Sequence, residues 1–311
     1  MACNQGGVMT DVRKSRTRFN NIWPATFLFP AEEALAHRLA KHNLVSIFLP
    51  AQLTHVEDHG FHSLLAHCID ALDYLPLRPD FAFDQIWKAL DAEFFRLVEV
   101  SAETNGQSRF SVFAARIASD STCSRSHFVL APYIPLQTCE FFAKRLLDST
   151  ADPNEHSEQF VKRVKAALGS SLLADIHAKY DANWLQPSRR AETQRKLGGL
   201  LKLIIGGQNV TLGGNAYQLS PPEVARLLIG TVLPQFRNER FHGSVRPPFR
   251  SSSATLKTYA HSYFLLVYAY ALICEVFLYR EFGVLSIQGG VDTTNANLHG
   301  LMQVLGDQES A

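Results

Sequence analysis

Charge of either sign is nearly absent from the balance of this chain: 30 Lys and Arg meet 29 Asp and Glu, a formal net charge of +1. That excludes a global basic field of the kind that draws proteins onto nucleic acid, so any such contact must come from a local patch. Cysteine is scarce as well. Cys3, Cys68, Cys123, Cys139 and Cys274 are scattered, odd in number and never spaced as C-x-x-C, which argues against a zinc ribbon or disulfide framework and for reduced thiols in a cytosol. Residues 1–18, MACNQGGVMTDVRKSRTR, have no apolar core after their charges, so they read as a short flexible arm and not as a signal peptide. Several catalytic signatures are also missing. The glycines of GGQNVTLGG make neither G-x-G-x-x-G nor a P-loop, and no G-x-S-x-G elbow occurs, which argues against nucleotide binding of those types and α/β-hydrolase chemistry.

What is present is helical periodicity, in a chain of 311 residues that can bury one large core or two. Residues 1–60 read as an N-terminal arm and accessory region, with one short amphipathic helix over 32–42. Phe61, Leu64, Leu65, Cys68, Ile69 and Leu72 then recur at helical spacing, Pro76 and Pro79 break the chain, and Asp80 caps a second helix carrying Phe83, Ile86, Trp87, Leu90, Phe94 and Leu97. Residues 101–108 and 119–126 are polar loops, 110–117 fits helix or strand, and 128–135 is short, apolar and open to a strand reading. Helical pattern resumes over 136–147 and over 160–176. Another helix spans 188–205, with Arg189, Arg190, Arg195, Lys196 and Lys202 on its polar side. Residues 206–214 are a turn-rich connector. Ser220, Pro221 and Glu223 form a capping box that opens the next helix.

The most apolar segment, residues 259–282, raises the question of a membrane span. Its aromatics run all along it, and His261, Glu275, Arg280 and Glu281 interrupt it, so it reads as a central helix surrounded by protein. Residues 291–311 read as a polar, loosely ordered tail.

The stretch that carries chemistry is residues 233–243, LPQFRNERFHG. Arg237 supplies a planar, permanently charged fork that suits a phosphate, and His242 can give or take a proton near neutral pH. Asn238, four residues before His242 and on its face of a helix, can fix the imidazole's tautomer. Arg237 and His242 are five apart, roughly 140° around a helix. Either the helix unwinds at Phe241, or two copies of the motif meet. Arg240 can contact phosphate or pair with an acid. Arg246, Arg250 and Lys257, set among Pro and Ser in what reads as an exposed loop, are candidates to hold RNA backbone, against the plainer reading of a solvated loop.

An Arg followed by a polar residue and, after four to six positions, a His resembles the signature of the HEPN (higher eukaryotes and prokaryotes nucleotide-binding) domains, here R-N-E-R-F-H. The resemblance implies a mainly α protein, a helical bundle over about 61–290 with a central insertion over about 101–215. It also implies a metal-independent endoribonuclease without cofactor, cutting by attack of the RNA's own 2′-hydroxyl to leave a 2′,3′-cyclic phosphate. Two motifs would meet across a homodimer, and the role would be that of a cytosolic toxin or anti-phage effector held in check by a partner. The alternatives are a non-catalytic HEPN-like module that binds nucleotide, RNA or protein, and a metal site built from His55, Asp58, His59, His62 and His67. In that last stretch Gly60 interrupts the spacing, no H-E-x-x-H occurs, and Asp58 suits helix capping.

Overall fold

One helix near the C-terminus organises the rest. Residues 256–279 carry apolar side chains on every face, and every residue over 258–279 is buried. A helix apolar all round must be covered all round, and the rest of the chain does this. The computed structural model describes residues 5–100, 108–241 and 248–308, with side chains from Val12 onward. It is mainly α-helical, with thirteen α-helices and one small hairpin among the described residues.

In chain order the helices are α1 (Gln5–Ile22), α2 (Pro30–Lys41), α3 (His59–Leu72), α4 (Pro79–Val100) and α5 (Arg109–Ser119), followed by a 3-10 segment, Ser126–Tyr133. Next come α6 (Leu136–Ala151), α7 (Glu155–Leu168), α8 (Ser170–Trp184) and α9 (Arg190–Ile205). Strands β1 (Val210–Leu212) and β2 (Asn215–Tyr217) pair antiparallel, with Val210 opposite Tyr217. The chain ends in α10 (Pro221–Leu227), a π-helical turn (Leu228–Val232), α11 (Leu233–Phe241), α12 (Leu256–Tyr279) and α13 (Ile287–Leu305). Helices α2, α4, α5, α6 and α13 and the 3-10 segment all pack on α12, while α6 to α9 form a second layer. Helix α12 is long and apolar enough to cross a membrane, and here it is the protein core.

Most of its buried polar side chains find hydrogen-bond partners, as a buried helix requires, the Ser262 hydroxyl being an exception among the described residues. Tyr259 donates to the Leu77 carbonyl (3.1 Å), Tyr263 to the Pro76 carbonyl (2.6 Å) and Tyr279 to Glu93, while Tyr270 accepts the Ala51 N–H (2.9 Å). Glu275, fully buried, accepts the N–H groups of Ser124 (2.8 Å) and Ser126 (3.0 Å) and faces His127 Nδ1 at 3.2 Å. Burial pushes the Glu275 carboxyl up, but these partners together hold it below the usual range.

Four sequence expectations change. The N-terminal arm is helical from Gln5. Residues 128–135 form no strand: most of them continue the 3-10 segment Ser126–Tyr133, whose start is held by the Ser126 N–H donating to Glu275 of α12. The pattern over 160–176 is two helices, since Gly169 at φ 82° takes a conformation that side-chain-bearing residues avoid and so breaks the run between α7 and α8. The polar tail is also ordered up to Leu305. Asn297 clamps the backbone of Leu49 through both amide atoms (2.9 and 2.8 Å), and Leu301, Val304 and Leu305 are buried. Its polar residues serve as interior partners, which composition alone does not reveal.

Gly300 lets α13 approach the N-terminal region closely. A Cβ there would stand 2.6 Å from the Ile47 carbonyl oxygen. Gly300→Ala is therefore expected to destabilise the fold by about 1 to 3 kcal/mol, the usual cost of overpacking, read as a lower midpoint in urea. An unchanged midpoint would mean that α13 is free to move aside.

Candidate functional site

The capping box forms as expected: the Ser220 N–H donates to Glu223 Oε2 at 2.8 Å, and Pro221 follows the cap. The helix then departs from regularity for a reason visible in the chain. Pro234 has no N–H to offer the carbonyl four residues back, that of Gly230. The helix widens into a π turn, in which the Leu233 N–H reaches the Leu228 carbonyl. Arg163 of α7 supplies a substitute donor, its Nε lying 2.9 Å from the Gly230 carbonyl oxygen. Turns of this kind recur at functional sites, and this one delivers α11 with the motif on it.

Helix α11 remains helical through Phe241. Arg237 and Asn238 are brought together, the Arg237 guanidinium donating to Asn238 Oδ1 at 3.2 Å. That guanidinium also covers the Phe241 ring at 4.3 Å, and its Nε is buried with no partner among the described residues. His242, Gly243 and Arg246 lie outside the described residues, so the Arg237 to His242 relation belongs to the sequence reading only.

The intervening motif residues hold the helix in place. Arg240 meets Asp84 at 3.1 and 2.7 Å and Asp80 at 2.9 Å, with Asp80 fully buried and further paired to Arg78. Of the two roles left open for Arg240, pairing with an acid is the one seen, with Nε and both terminal nitrogens each meeting a carboxylate oxygen. Glu239 is buried and pairs with Arg145 of α6 and Gln235. Beneath the helix, His261 of α12 is buried against Phe236 (5.1 Å between rings) and shares a hydrogen bond with Thr138 (2.9 Å). Burial, and then the nearby charge of Arg240, push its pKa down to about 3.

Arg250 does not extend from an exposed loop. It meets Glu32 at 3.2 Å and covers the rings of Phe19 and Phe29, while the adjacent Phe249 stacks on Tyr259 at 4.2 Å. Arg250 and Phe249 thus tie the N-terminal helices to α12, a structural task. Lys257 lies half-buried on the first turn of α12. In the alternative metal stretch, Asp58 caps α3 by accepting the Phe61 N–H (2.8 Å), His62 bonds the Val56 carbonyl (2.8 Å) and His55 meets Glu57 (3.1 Å). Among the described residues no group of three or more His, Cys, Asp or Glu is placed to hold a metal.

Sequence reasoning missed what lies beside Asn238. A cavity of about 480 Å³ opens between α7 and α11, lined by His156, Gln159 and Arg163 on one side and Gln235, Asn238 and the Glu239–Arg145 pair on the other. It adjoins a second cavity of about 500 Å³ that shares Arg145, His156 and Gln235 and adds Arg190. His156, Gln159 and Arg163 follow one helix face at spacings of three and four. The detectable signal was Pro234, which frees a carbonyl that a distant donor then had to satisfy. In comparisons with known proteins, no family model matches the chain, and no curated protein or solved structure matches it.

Proposed function

We propose that the protein is a metal-independent endoribonuclease working through the Arg237, Asn238 and His242 motif. The observation that carries this reading is that Asn238, hydrogen-bonded to Arg237 at the end of the motif helix, opens onto a groove that Arg145, Gln159 and Arg163 also line. In the proposed reaction the substrate's 2′-hydroxyl attacks the adjacent phosphorus. The new 2′-O–P bond forms as the P–O5′ bond breaks, a base takes the hydroxyl proton, and an acid gives one to the departing O5′. His242 performs proton transfer, Arg237 stabilises charge building on the phosphate oxygens, and Asn238 orients the imidazole. One histidine acts per motif, so two copies of the chain, each lending a motif, complete the pair of proton-transfer groups. Because DNA lacks the internal nucleophile, the same chemistry selects RNA. A toxin or anti-phage effector role in the cytosol, with an inhibitory partner, follows from the resemblance to HEPN domains alone.

A second reading has an observation in its favour. Glu239 and Arg240 are used up in anchoring α11 to α6 and α4, which suits a non-catalytic module whose motif is structural. The test is incubation of a mixed structured RNA and its DNA copy with the protein in EDTA. Fragments of the RNA alone, ending in 2′,3′-cyclic phosphate, are expected. Intact RNA, or cutting of both polymers, would overturn the nuclease reading.

A further inference from the structure

Arg163 is an anomaly in the charge pattern around the groove. Arg145 is answered by Glu239, and Arg240 by Asp80 and Asp84. Arg163 has its Nε on the Gly230 carbonyl, is withdrawn from water far enough for burial to pull its pKa down, and has no carboxylate partner among the described residues. A desolvated guanidinium without a counter-charge is costly unless something anionic completes it. Its remaining N–H groups belong to a side chain that lines the cavity. On the same face of α7, Gln159 is exposed and makes no hydrogen bond among the described residues. Across the groove, among the described residues, Asn238 uses only its oxygen internally, and Gln235 only its amide nitrogen.

The geometry points to a subsite for the RNA chain in the α7–α11 groove, with a backbone phosphate on Arg163 and base edges against the carboxamides of Gln159, Gln235 and Asn238. A carboxamide presents one donor group and one acceptor side by side, the pattern a base edge presents in return. A guanidinium fork matches two phosphate oxygens. The cavity volume is in the range of a site for one small ligand or nucleotide. This inference rests on the ribonuclease reading, since it takes the groove beside Asn238 as the path of the substrate.

The test measures binding of a fluorescent twelve-nucleotide single-stranded RNA of mixed sequence to the His242→Ala chain, in EDTA and across a salt series. Adding Arg163→Ala is expected to weaken binding about tenfold or more. It should also reduce the slope of log K against log salt by about 0.7, the share of one phosphate on a single strand. Arg163→Lys keeps the charge and should keep the slope. Because Arg163 also supports the π turn, Gln159→Glu provides an independent check. It places a negative charge in the groove at an exposed position and should weaken binding comparably, with an unchanged melting temperature. Binding and slope that match the parent in both Arg163→Ala and Gln159→Glu would overturn the subsite, and so would a parent that binds no RNA. Cleavage by the otherwise unaltered chain would then still stand by itself. Conversely, Arg163-dependent binding in a protein that never cuts RNA would remove the nuclease reading and leave the subsite.

Discussion

Replacing His242 by Ala should lower RNA cleavage by about 10²- to 10⁴-fold, the usual cost of losing a positioned acid or base, while RNA binding is kept. Arg237→Ala should also fall steeply, and Arg237→Lys should rescue little, because a single ammonium cannot reproduce a planar fork on two phosphate oxygens. Asn238→Ala removes orientation and no proton, so its loss should be smaller. The same variants ask whether two chains share a site. Because the proposed site takes one histidine from each copy, re-associating the unaltered chain with an excess of His242→Ala chains should lower the activity per unaltered chain, since a mixed pair holds a single proton-transfer group. Activity that stays proportional to the amount of unaltered chain would sink the shared site. Full activity of His242→Ala alone would remove the motif from catalysis altogether.

Lowering the pH from 7 to 4 should destabilise the fold by about 3 kcal/mol through His261 alone, at about 1.4 kcal/mol per unit of pKa difference. The sign follows from where the proton goes. Folded, this buried ring holds a pKa of about 3 instead of the ordinary 6.5. Between those values the unfolded chain binds a proton that the folded chain refuses, so stability is complete above about pH 6.5 and drains away as the pH falls toward 3. Thermal melts of the unaltered chain and of His261→Asn, across pH 7 to 4, check this. The Asn keeps a polar group near Thr138 but cannot be protonated, so its melting temperature should decline less steeply. Equal slopes in the two proteins would show that another group controls the acid transition. The site is coupled to this ring: Phe236 packs on His261, and the Arg240 charge helps to depress its pKa.

Most helices were legible in the sequence because their apolar residues repeat at three and four and their ends carry caps. Asp58 and Ser220 each cap a helix whose start they announce, whereas Ser108 caps a helix that the sequence left open to a strand reading. Helix α12 was legible as the core from its apolar breadth. Helix α13 was not, because Thr294 and Asn297 look like surface residues until the buried groups they satisfy are known. At the candidate site, the proximity of Arg237 and Asn238 was trivial from their adjacency. The fate of Arg240 was not, since Asp80 and Asp84 lie 160 and 156 positions away. The groove beside Asn238 depends on α7 meeting α11, a tertiary fact with no local trace except Pro234.

The position of α12 along the chain also bears on how the molecule is made. A ribosome delivers residues from the N-terminus onward, and α4 carries Phe83, Ile86, Leu90 and Phe94 at 0% exposure in the finished protein. Those side chains wait for a centrepiece that begins only at Leu256. Until α12 has emerged, the earlier helices are a shell without its kernel, their apolar faces open to water and to one another. Nascent chains in that condition are prone to stick and depend on chaperones, and contacts so distant in sequence slow folding. The arrival of residues 256–279 therefore decides when the helices made before them can close into a finished core.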